Sequence, residues 1–219
     1  MKSILVWDWS IRVSHWLMVL LFTGLIITGR FERAYFDYHF YLGYSLSALV
    51  VFRVIYGFYG SRYAKFSQFI KAPKVVVHYL RSFLKGKPNR HLGHNPLGAL
   101  MVVALLIGLT LQWGSGLFTS DDLFWTGPLN AYLAEDWQSW MAWLHHVLPD
   151  ILLWLVGLHV AAVFYHELCL KERLVSAMIH GKKRTHQARP ESITTPRWGV
   201  LFALLMGGAW LVWLWLLPV

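Results

Sequence analysis

The sequence predicts an all-α integral membrane protein: a four-helix transmembrane bundle followed by a fifth transmembrane helix, in a single membrane domain over residues 1–219. Three observations carry that prediction. Of the 219 residues 57% are hydrophobic and only 14% charged, and the mean hydropathy is +0.45, a balance foreign to water-soluble domains. Five apolar stretches approach the roughly 20 residues that a helix needs to cross a hydrocarbon core. The Lys and Arg residues lie in blocks between those stretches, which marks cytoplasmic loops. The formal charge of +9 therefore follows from topology and does not point to nucleic acid. The single cysteine, Cys169, excludes an intramolecular disulfide and any cysteine-ligated iron–sulfur cluster held by this chain alone.

Met1 to Arg12 is too polar for a signal peptide, so the first span, about residues 11–29, is expected to be retained. His15 lies about a turn inside it, and Trp7, Trp9 and Trp16 are interfacial aromatics. Gly24 and Gly29 permit close approach of a neighbour. The second span, 39–59, opens with His39, and Gly43 one turn later leaves a gap on the same face. Arg53 lies fourteen residues after His39, near the same face at the other end of the helix.

Residues 61–95 form a basic loop with no acidic residue, expected in the cytoplasm, with an interfacial helix over 66–84. His78, His91 and His94 are expected to face solvent or headgroups. The third span, 96–117, contains no histidine and is expected to serve packing through its glycines, with Thr110 and Gln112 as its interior polar groups. An acidic loop, 118–142, carries Asp121, Asp122, Glu135 and Asp136 and no Lys or Arg. The fourth span, 143–169, bears His145 and His159. Basic residues return over 166–196, and the fifth span covers 198–217.

The histidines carry the chemistry. His145 and His159 are fourteen positions apart, so they leave one helical face within roughly 40° of each other and about 21 Å apart along the axis. Either alone reads equally well as an interfacial or internally bonded residue. In depth, however, His15 and His159 fall toward the cytoplasmic half, whereas His39 and His145 open their spans on the acidic side. The four divide into two pairs, and two imidazoles per pair suit two low-spin, bis-histidine haem b groups. His146 is about 220° around from His159 and faces away. His166 competes, two turns beyond His159 on nearly the same face, but its place at the helix end suits a headgroup, propionate or quinone contact. Arg53 suits an ion pair with a haem propionate, and Arg12 and Gly43 complete the candidate cofactor-binding residues. No CxxCH occurs, so covalent c-type attachment is absent.

The segments VWDWSIRVSHW, HFYLGYSLSALVVFRVIYGF and LGHNPLGALMV, with a fourth-span His followed fourteen residues later by GLH, resemble the bacterial cytochrome b561 and nickel–iron hydrogenase b-type cytochrome family. The resemblance covers about residues 5–170. It implies a di-haem four-helix core over 11–170 that exchanges electrons with quinone, with His15, His39, His145 and His159 as iron ligands. The expected function is electron transfer across the bacterial inner membrane between the quinone pool and a periplasmic partner. A c-type cytochrome is the first expectation, drawn to the acidic loop. A nickel–iron hydrogenase or similar dehydrogenase, for which the chain would be the membrane anchor, is the alternative. A small proton-coupled transporter without haem is the remaining reading. The expected orientation is multi-pass with a cytoplasmic amino terminus, in contact with lipid, and a homodimer is open.

Overall fold

The computed structural model describes residues 2–30, 36–86, 88–120, 125–185 and 193–217. Five of its helices are long and apolar enough to cross a membrane: α1 (Trp9–Arg30), α2 (Phe36–Tyr59), α5 (Pro96–Gly116), α6 (Glu135–Leu168) and α8 (Arg197–Trp215). Two of them start on a capping side chain. At α1, Asp8 Oδ1 accepts from the Ser10 and Ile11 amides at 2.9 and 3.1 Å, satisfying two of the donors that open a helix. At α5, Asn95 Oδ1 accepts from the Gly98 amide at 2.7 Å and Pro96 takes a first-turn position where no N–H is needed.

Several boundaries differ from expectation. Helix α6 begins at Glu135, well before residue 143, so Glu135 and Asp136 sit in its first turn and not in a loop; the exposed amides there favour acidic side chains. Asp121 and Asp122 lie outside the described residues. The interfacial helix expected over 66–84 is divided into one turn, α3 (Phe66–Phe69), and α4 (Pro73–Leu84). Pro73 is the cause, because it disfavours helical geometry in the residue before it and cannot donate a backbone bond.

A small sheet departs from a purely helical reading. Strand β1 (Lys2–Leu5) pairs antiparallel with β2 (Lys182–Thr185), Lys2 opposite Thr185 and Leu5 opposite Lys182. Strand β2 follows directly on α7 (Leu174–His180), which Gly181 ends in the left-handed region with φ of 79°. The Gly181 carbonyl then accepts from the Val6 and Trp7 amides at 2.8 and 3.0 Å. The chain's start is thus fastened under the segment that follows α6, and Val6 and Trp7 are buried there with Phe52, Tyr56 and Ala64.

Helix α1 packs along α2, α2 along α8, and α5 along α6, with a lesser contact of α2 on α5. Leu46, Val50 and Leu106 form the core where α1, α2 and α5 meet. Helix α6 makes no comparable contact with α1 or α2, so the faces bearing the histidines stand opposite one another without interlocking. Large apolar side chains such as Leu20, Trp154 and Leu205 point outward, as required of a bundle whose solvent is lipid.

Candidate functional site

His39 and His145 come together in the structure, and His15 and His159 stand within electrostatic reach of each other at a different depth. Near the end away from the sheet, His39 of α2 faces His145 of α6, with ring centroids 6.4 Å apart and planes at 85°. Imidazole–metal bonds run about 2.0–2.1 Å and a ring centre lies roughly 1.1 Å behind its nitrogen, so two imidazoles sharing one metal in line have centres about 6.3 Å apart. The observed separation suits one shared iron.

Each ring is held by its other nitrogen. His39 Nδ1 lies 3.0 Å from Thr28 Oγ1. That hydroxyl donates to the Gly24 carbonyl at 2.9 Å, so it accepts from the imidazole. His145 Nδ1 is 3.0 Å from the Gln112 carbonyl and donates to it. Both bonds assign the tautomer that directs the Nε2 lone pair to a ligand. Two glycines make room: a Cβ on Gly29 would stand 3.0 Å from His39 Cε1, and one on Gly116 would stand 2.8 Å from His145 Cε1. Gly43, one turn from His39, has only Leu25 within 4 Å of where a Cβ would be. This part of the α2 face has space.

Pro149 explains a further bond at His145. It lies inside α6 and lacks the N–H that would pair with the carbonyl four residues earlier, that of His145. Gln112 Nε2 supplies the donor instead, at 3.1 Å from the His145 carbonyl. Backbone and side chain of Gln112 therefore hold the same histidine from both ends. Helix α5, expected only to pack, positions a candidate ligand; Thr110 merely returns to the Leu106 carbonyl of its own helix. Arg30 at the end of α1 forms an ion pair with Asp150 of α6, tying the two helices near this pair.

At the other depth, His15 of α1 and His159 of α6 lie within electrostatic reach of each other. His15 Nδ1 is sealed from solvent with no hydrogen-bond partner, so this ring lacks the Nδ1 anchor that holds His39 and His145. Arg53 is buried, 3.5 Å from the Ala64 carbonyl and 5.6 Å over the Phe66 ring. Asp8 acts on it as well. This carboxylate, just before α1, is fully buried and also accepts from the Ser61 hydroxyl.

The remaining candidates stay apart from the four rings. Arg12 bonds the Ile179 carbonyl at 2.5 Å. His166 is buried at the end of α6, its Nδ1 3.0 Å from Glu172 and its ring stacked on Phe83; the protein itself satisfies it. His146 is exposed as expected, and so are His78 and His91. His94 is different: it is wedged between Trp7 and Phe69 at 4.7 Å from each, its Nδ1 sealed and unpartnered. Burial and then the nearby Arg53 push its pKa down to about 3, so the ring is neutral at ordinary pH. The expectation of a solvated His94 fails because the start of the chain folds over it.

Residues 6–181 match the family described as prokaryotic cytochrome b561. The chain is 24% identical to a probable Ni/Fe-hydrogenase B-type cytochrome subunit of Bradyrhizobium diazoefficiens, over 83% of this chain and 86% of the relative. It is 26% identical to a protein of the same description from Azotobacter vinelandii, over 86% and 92%. It is 23% identical to the probable Ni/Fe-hydrogenase 1 B-type cytochrome subunit of Escherichia coli K12, over 83% and 91%. No solved structure matches.

Proposed function

Since this chain belongs to the prokaryotic cytochrome b561 family and is a multi-pass membrane protein, we propose that it is the haem-bearing membrane subunit of a hydrogenase-type enzyme. In this reading it passes electrons between that enzyme and the quinone pool of the bacterial inner membrane. The names borne by its relatives favour a hydrogenase partner over the c-type cytochrome that the acidic loop suggested. The observation that carries the haem reading is the His39–His145 pair, 6.4 Å apart and with each Nδ1 anchored. His39 and His145 hold one haem b and His15 and His159 the other. Haem b, when bound, supplies a one-electron iron couple. Two imidazoles for each iron would favour electron transfer over oxygen binding. Thr28 and Gln112 keep the rings from turning, and Arg53 is the cation proposed to meet a propionate of the His15–His159 haem. The basic loops put the amino terminus in the cytoplasm.

A reduced-minus-oxidised spectrum of the purified chain, with haem counted per polypeptide, tests the reading. Two haems with sharp b-type bands are expected. Protein that is folded in detergent but lacks those bands would overturn it in favour of a haem-free transporter. Reconstitution with a hydrogenase or with a soluble c-type cytochrome then separates the partners: only the true one exchanges electrons with quinone through this chain.

A further inference from the structure

At the end that carries the sheet, a cavity of about 1000 Å3 opens between α1, α7, β2 and the segment before α5. Its cations converge from distant parts of the chain: Arg12, Arg90, Lys171, Arg173 and the run Lys182 to Arg184. One carboxylate, Glu172, shares the lining, and it is already paired with His166. Among the described residues none of these cations has a carboxylate within ion-pair distance. Those with a described partner bond to backbone: Arg12 to the Ile179 carbonyl, Arg90 to that of Leu170 at 3.3 Å, and Lys183 to that of His91 at 3.4 Å. Burial pushes the Lys183 ammonium below its usual pKa, with Glu172 opposing. Lys171 holds a φ of 53°, a left-handed conformation uncommon outside glycine.

Topology asks only that basic residues stay on one side; it does not gather them around one concavity. The setting indicates what fills it. Helix α7 is pinned to α1 by Trp16 Nε1, which donates to the Met178 carbonyl at 3.3 Å, so the cavity opens at the level where α1 enters the apolar zone. Val13 and Trp16 of α1 and Val175 and Ile179 of α7 are exposed beside it. A ligand with phosphates at one end and acyl chains at the other would meet cations and apolar side chains together. We propose that this cavity binds the headgroup of an anionic phospholipid, specifically the two-phosphate headgroup of a cardiolipin-type lipid, because seven cations against one carboxylate exceed what a single phosphate neutralises. The proposal goes beyond the redox reading and requires only that the chain cross a membrane.

Native mass spectrometry of the haem-loaded full chain tests it, after delipidation and titration with cardiolipin, phosphatidylglycerol, phosphatidylcholine or inorganic pyrophosphate. One cardiolipin is expected to be retained in preference to phosphatidylglycerol, and phosphatidylcholine not at all. A cation near the membrane surface is worth about fivefold in binding. The triple variant R173Q/K182Q/R184Q should therefore lose affinity on the order of 100-fold with its haem absorbance unchanged. If the triple variant loses haem, R173Q and K182Q singly should each weaken cardiolipin binding about fivefold. Undiminished cardiolipin binding in the variants overturns the site, as does equal retention of phosphatidylcholine. Competition by pyrophosphate as strong as by the lipid would assign the cavity to a soluble phosphate and overturn the lipid.

Discussion

Gly116 shows how little room surrounds a candidate ligand. A methyl there would come within 2.8 Å of His145 Cε1, whereas one at Gly114 would meet nothing within 4 Å. Gly116→Ala should cost the haem at this depth, and Gly114→Ala should leave both in place; haem per polypeptide distinguishes them, and equal content in the two variants would remove the steric argument. The Gln112–Pro149 relation makes a second prediction. Gln112→Leu leaves the His145 carbonyl without its donor, a loss of about 1–3 kcal/mol, while Pro149→Ala restores a backbone N–H four residues on. The double variant should therefore lose less in thermal midpoint than Gln112→Leu alone, and a simple sum of the two effects would argue against the exchange. His94 supplies the pH dependence. Its folded pKa of about 3 lies below the unfolded value near 6.5, so the unfolded chain takes the proton first, and stability falls as pH drops from about 6.5 toward 3. His94→Phe should flatten the acid limb of a thermal-inactivation profile by at most about 1.4 kcal/mol per pH unit; an unchanged limb would mean that other groups set it. Helical arithmetic put His145 and His159 on one face of their span, and depth grouped His39 with the first and His15 with the second. It could not show Thr28 or Gln112 as their anchors, since those contacts join different helices. Nor could it show His94, whose surroundings come from Trp7 and Phe69, far away in the chain.

Helix α8 lies beyond the family match, which ends at residue 181, yet it is closely built into the bundle. Trp210 Nε1 donates to the Ser47 hydroxyl at 2.9 Å, and a Cβ on Gly207 would stand 2.9 Å from the Ala48 carbonyl of α2. That contact is with backbone and cannot yield by a rotamer change. Gly207→Val should cost about 1–3 kcal/mol through overpacking and lower the thermal midpoint, while both haem spectra persist because α8 carries no candidate ligand. Loss of either haem in this variant would instead make α8 a support of the binding face. Length and hydropathy made the five spans legible, and the structure moves most of their ends only slightly. The exceptions have physical causes. Helix α6 runs past its apolar core because acids and aromatics can extend a helix beyond the bilayer, and Pro73 divides what periodicity alone would join. The β1–β2 pair was not legible, since two four-residue strands with the whole core between them leave no local pattern.

Across the whole molecule, two histidine pairs acting as proposed would give electron flow a direction in space. His15 and His159 lie toward the sheet and the basic loops, His39 and His145 toward the opposite end, and α6 carries one member of each. If the hydrogenase-type partner docks at the end away from the basic loops, its electrons must enter through the His39–His145 site and leave through the other. His39→Ala should then abolish reduction of the remaining haem by the partner while reduction by added quinol continues. His15→Ala should do the converse: the partner still reduces the haem it meets, and quinone reduction stops. Each substitution removes one ligand of one pair, so the surviving haem serves as its own control for folding. Stopped-flow absorbance of the two variants, with the partner and with quinol as separate donors, reads both halves. Partner-driven reduction of the His39→Ala protein at the parent rate would place the docking surface on the basic side, where the cations gathered around the cavity would attract an acidic face, and would reverse the route.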